Sequence, residues 1–266
     1  MNERMSNAPV YYALAQARFN PISAMSKYVT DIQDRLRREG YPLFDVQQVN
    51  QLVVPTPEEG APAEARLSQA ASWLITRSDR TAGFILGTGG ISYHTTHYET
   101  HQEFIPELLR GLNAVHEVVG LDHVSRLGLR YLDAVLPGPS ETVEQYLHSG
   151  LHGVEYAAER QYALAESVFT TDTAPLVSKG TLIARVYRMT SHLGFPPDMF
   201  PNGLSVAERF TTKDPISHAV IDTDHYAEGR MLVDAEQLQH QLISLHSAIK
   251  SVFGAIVTDH ARSAWN

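Results

Sequence analysis

Apolar and polar positions alternate or recur along this chain in blocks that read as discrete elements. Val10 to Phe19 alternates as a strand, and a helix should follow. Asn20 is a good N-cap and Pro21 suits a first helical position, where its missing N–H costs nothing. Ile22, Met25, Val29, Ile32 and Leu36 then recur at three- and four-residue spacing, the signature of one apolar helix face. Gly40 with Tyr41-Pro42 ends that helix. Phe44 to Val54 reads as a strand and Pro55 to Ala65 as an exposed linker loop. Ser72 to Arg77 and Ala82 to Tyr93 are the next strands. The second carries Gly87, Gly89 and Gly90, which permit a bulge or a close backbone approach. Phe104, Leu108, Leu112, Val115 and Val119 mark a second amphipathic helix from about Thr100 to Val119, closed by Gly120.

Arg126-Leu127-Gly128-Leu129-Arg130-Tyr131 follows, alternating like a strand. Arg126, Gly128 and Arg130 share one face, and Leu127, Leu129 and Tyr131 take the other. Beyond Pro137-Gly138-Pro139-Ser140, strands are expected at Arg160 to Phe169, Thr181 to Thr190 and Ser217 to Asp224. Between the last two lies a Pro- and Gly-rich excursion, Leu193 to Pro215, long enough to suggest a binding loop, lid or insertion. Leu238, Leu242, Leu245, Ile249, Val252 and Ile256 then form a regular seam behind a plausible N-cap, Asp234. A helix packed across a sheet is the leading reading of that seam, and self-association through it the alternative. The fold expected is α+β: two antiparallel sheets, or one long sheet in two halves, residues 1–136 and 137–266, each covered by long amphipathic helices and packed separately or as one domain. The halves could be a duplication, since His97-Tyr98 and His225-Tyr226 each stand shortly before a long helix.

Composition narrows the classes. With 21 basic and 30 acidic residues the net charge is −9, which argues against a general nucleic-acid binder. The absence of cysteine excludes disulfides, thiolate metal sites and cysteine nucleophiles, and fits a reducing cytoplasm. No apolar run approaches the roughly 18 residues of a membrane span, and Met1 to Val10 lacks the apolar core of an export signal.

Several clusters could carry chemistry. Arg126 and Arg130 present planar forks that match carboxylate or phosphate; Glu99, Glu103 and Asp133 are candidate intramolecular partners that would make the pair structural. His94, His97 and His101 would share a face if helical and could then ligate a divalent metal, although they straddle a strand-to-helix junction. Asp222 and Asp224 share a strand face near His218 and His225, a second possible hard-metal or acid–base site, or a strand running out to solvent. His116 and His246 read as ordinary helix residues. Gly87-Thr88-Gly89-Gly90 lacks the lysine of a phosphate-binding loop, and no nucleophile elbow or dinucleotide fingerprint is present. Phe195, Met199 and Phe200 sit among prolines, apolar for no evident reason unless they pack on something.

Four stretches carry a resemblance: YYALAQARFNP, Tyr98 with the Phe104-led helix, RLGLRYLDAV, and the terminal LISLHSAIKSVFGAIVTDHARSAW. Together they resemble a sporadically distributed, uncharacterised bacterial protein family of about this length. That family usually has Asn where this chain has Asp133. The resemblance carries over no catalytic residue; it implies patchy distribution, as in phage-defence or toxin–antitoxin neighbourhoods.

The function expected is thus a cytoplasmic, non-enzymatic binding or accessory protein with a protein partner, contacted through Phe195, Met199 and Phe200, and with possible homo-oligomerisation through the last helix. Two alternatives remain: a metal-dependent enzyme built on His94, His97 and His101 or on Asp222 and Asp224, and an anion or nucleotide sensor using Arg126 and Arg130. No cofactor is assigned beyond that divalent metal.

Overall fold

A computed structural model describes residues 5–53, 66–158 and 160–266. The linker expected at Pro55 to Ala65 lies outside the described residues. The first strand, β1 (Val10–Phe19), leads not directly into a helix but into a turn. Asn20 caps nothing: helix α1 (Met25–Arg38) starts behind Ala24, and the Ile22 N–H is taken by the Thr88 carbonyl at 2.8 Å. A tertiary hydrogen bond thus overrides the local capping signal. Met25, Val29, Ile32 and Leu36 are buried, as their spacing predicts.

Strands β2 (Leu43–Val53) and β3 (Arg66–Thr76) pair antiparallel, followed by β4 (Ala82–Gly87) and β5 (Gly90–Thr95). The glycines therefore make a hairpin, with Gly87 opposite Gly90, rather than a bulge within one strand. Helix α2 (His101–Val119) ends at Gly120, whose φ of 72° belongs to the left-handed region that favours glycine. Next come β6 (Val124–Val135), a one-turn helix α3 (Val143–Tyr146), and the strands β7 (Tyr162–Asp172), β8 (Lys179–Ser191) and β9 (Ile216–Met231). The chain closes with α4 (Ala235–Ile256) and α5 (Asp259–Trp265). Asp234 caps α4 as its position suggests, accepting from the Gln237 N–H at 3.0 Å. Because β9 runs seven residues past Asp224, His225 and Tyr226 lie inside a strand, whereas His97 and Tyr98 precede a helix. The parallel between the halves does not extend to this pair.

The nine strands among the described residues form one antiparallel sheet in the order β2-β3-β4-β5-β1-β6-β9-β8-β7. The first half contributes six strands, the second three, and the β6–β9 ladder joins them. Helices α1, α2 and α4 cover one face, where Ala13, Ala15, Leu127, Leu129 and Ala227 meet Leu108, Leu112, Leu242 and Leu245. The seam of α4 is spent there, with Leu238, Leu242, Leu245, Ile249 and Ile256 buried within the fold. No helix among the described residues is long and apolar enough to cross a membrane. The Leu193 to Pro215 excursion folds over part of the opposite face, burying Met199 and Phe210 against Tyr11, Tyr12, Leu132 and Val220.

Candidate functional site

Strand alternation separates two carboxylate environments on opposite faces of the same ladder. Arg126, Arg130, Asp222 and Asp224 point away from the helices. Arg130 clamps the fully buried Asp222 through Nε and Nη2, each at 2.7 Å, and its Nη1 reaches Asp198 of the covering loop at 2.6 Å. Arg185 adds a contact to Asp222 at 3.6 Å while bonding Glu166 at 2.5 Å. Asp224 is half-buried, and that burial lifts its carboxyl above the usual range. Arg126 lies over the Tyr226 ring at 4.0 Å, donates to Gln16 at 2.9 Å and stands 3.6 Å from Glu228. None of Glu99, Glu103 and Asp133 bonds either arginine: Asp133 stands an odd number of residues from both and so faces the helices. The Arg130 fork is engaged by two carboxylates of its own chain.

The three histidines of the junction diverge. His94, wholly buried, shares the arginine face, where its Nδ1 meets the Tyr12 hydroxyl at 3.0 Å and burial pushes its pKa down to about 3. His97 is exposed, 3.7 Å from Glu99. His101 opens α2 on the helix side. The helical geometry that would align them does not exist, because β5 runs through His94 and α2 begins only at His101. Among the described residues no group of three or more His, Asp or Glu is placed to hold a metal ion. Of the loop residues, Phe195 packs edge-on against Tyr11 and Tyr12 and Met199 is buried, so both find their apolar surroundings inside the chain. Phe200 stays 66% exposed.

The arrangement with the most unspent chemistry lies on the helix side. A cleft of about 450 Å³ opens between the segment Met5 to Val10, the β5–α2 junction, the end of β6 and the middle of α4. Asp133 is only 4% exposed yet lines this cleft. Burial first, and then the charge of Asp222 across the sheet, push its carboxyl up to about 8, with no hydrogen bond from the described residues to offset them. Beside it the Tyr98 and Tyr131 rings meet edge-to-face at 5.1 Å. The Tyr131 hydroxyl lies 3.3 Å from His246 Nδ1. His246 stacks on His101 with ring centroids 4.2 Å apart. Burial, then the charges of His101 and Lys250, hold His246 down to about 4, and burial with Lys250 lowers His101 as well. Both rings are therefore neutral near pH 7. Val10, Ile249 and Phe253 complete an apolar wall, and Lys250 stands exposed. Two adjoining cavities, about 330 and 560 Å³, share Tyr98 and Glu99 with the first.

The sequence carries a signal for this site that reasoning from arginines and histidine spacing passes over. In RLGLRYLDAV the alternation that sends Leu127, Leu129 and Tyr131 to the core sends Asp133 with them. An acidic residue on a core face is the mark of a buried carboxyl that needs a partner.

Comparison of the chain with protein-family models, with curated proteins and with solved structures finds no match in any of the three.

Proposed function

We propose that this chain is a binding protein whose ligand site is the cleft around Asp133, and that the ligand is a small organic molecule. The observation that carries the reading is a carboxyl nine-tenths buried, without a hydrogen-bond donor among the described residues, at the wall of a cavity of ligand size. The mixed lining supports it: aromatic and aliphatic side chains supply area, while Asp133, His101 and His246 supply a few oriented polar groups. Ala8 is small and lines the same cleft, so Ala8→Trp should fill it. In a thermal-shift screen of fragments spanning amines, carboxylates and neutral compounds, some should raise the Tm of the wild type and lose that effect in Ala8→Trp. A screen without hits, or hits indifferent to Ala8→Trp, contradicts the reading.

A protein partner is the second reading. Phe200 supports it, as a large apolar side chain left exposed on a loop whose other aromatic residues pack inward. Phe200→Ser should leave the Tm unchanged while a co-purifying partner is lost; retention of that partner counts against this surface.

A further inference from the structure

We infer that the cleft takes an organic amine, with its ammonium seated on Asp133 and an apolar body along Val10, Ile249 and Phe253. This rests on the cleft being the ligand site. The two buried aspartates of this sheet make the case by contrast. Asp222 has its cations built in, with Arg130 in a two-point clamp and Arg185 nearby. Asp133 has no hydrogen-bond donor among the described residues. Its neighbours supply no cation: the Tyr131 hydroxyl is neutral and engages Tyr98 and His246, and burial lowers the pKa of both stacked imidazoles, which favours their neutral form. A buried carboxyl lacking a donor is costly, so the complementary group must arrive from the open side, inside the cleft.

An ammonium is the donor that gains most there. It forms a charge-assisted hydrogen bond with the carboxylate, and Asp222 across the sheet adds to the negative potential. Tyr98 and Tyr131 line the cleft beside it and exclude water from the carboxyl. The aliphatic wall then suits a body of several carbons, within the volume available. Two features oppose a cation: the exposed Lys250 and the positive end of the α2 dipole at Thr100 to Gln102. Both bear on the cleft more weakly than a buried carboxyl to which no described residue donates, and Lys250 makes the inference testable with the opposite sign.

The test uses three six-carbon probes on the purified full chain, n-hexylamine, n-hexanol and n-hexanoate, with affinities from calorimetry. Hexylamine should bind the wild type, and Asp133→Asn, which keeps the shape but not the charge, should weaken it at least tenfold. Lys250→Gln should tighten hexylamine a few-fold, and hexanoate should bind more weakly than the amine. Equal hexylamine affinity in wild type and Asp133→Asn overturns the inference, whatever Lys250→Gln does. Hexanol or hexanoate binding more tightly than hexylamine, with loss in Ala8→Trp, also overturns it but leaves the cleft as a ligand site. If none of the three binds, the inference falls, and the fragment screen decides separately for the cleft.

Discussion

Asp133 and Asp222 show how one ladder gives the same side chain two fates. Asp222 has its partner built in, because Arg130 grips both of its oxygens. Removing one member of such a buried pair strands the other, at about 3–5 kcal/mol. Arg130→Ala should therefore lower stability by that amount in urea titrations. Arg126→Ala should cost less, about 1–2 kcal/mol, because it leaves no buried charge behind: Glu228 is largely exposed, and what is lost is the hydrogen bond to Gln16 and the stack on Tyr226. Asp133 works the other way. Its carboxyl is raised from 3.8 to about 8 in the fold, so between those values the native state holds a proton that the unfolded chain has released. Stability from this group is thus complete below pH 4 and is lost as pH rises through 8. Asp133→Asn removes that loss, and the Tm advantage of the variant should be larger at pH 8 than at pH 5 by about 5 °C. A Tm difference independent of pH would show that Asp133 is not raised. Strand parity separates these fates: Arg126 and Arg130 lie on the face of Asp222, Asp224 and Glu228, whereas Leu127, Leu129, Tyr131 and Asp133 face the helices. What parity cannot give is the partner, and Asp198 and Asp222 come from segments far along the chain.

At the scale of elements, local signals hold where nothing distant competes. The Asp234 cap and the Gly120 stop sit where expected, and Asp234→Ala should cost about 1 kcal/mol. Asn20→Ala should cost almost nothing, since Asn20 caps no helix and the turn after β1 is held by Thr88 and Gly89 carbonyls. Gly111 gives a sharper case. In an isolated helix Gly→Ala gains about 1 kcal/mol. In α2 a Cβ at position 111 would meet the Phe84 ring at 2.4 Å, because the helix lies directly on β4. Gly111→Ala should destabilise in equilibrium unfolding, reversing the sign that propensity assigns; a gain in stability would mean that α2 stands further from the sheet. Apolar spacing revealed α1, α2 and α4 and most strands. It left the Gly87 to Gly90 hairpin as one strand and passed over α3 and α5, which are too short for a period to show.

Across the whole molecule, nine strands divide the chain into a helix-covered face and a face partly capped by the Leu193 to Pro215 loop. The α+β class with antiparallel pairing was legible in the alternation of strand-like and helical blocks. The cleft was not, because it assembles four segments separated by up to some 240 residues, and only packing brings Val10, Tyr98, Asp133 and Phe253 to one place. Its central feature is the buried carboxyl of Asp133, whose protonation is measurable directly. The Cγ carbon-13 resonance of Asp133, assigned by its absence in Asp133→Asn, can be titrated with and without n-hexylamine. The midpoint should lie near 8 in the free protein and lower with the amine bound. A midpoint in the ordinary carboxylate range in the free protein, or one that the amine leaves unmoved, would contradict that expectation.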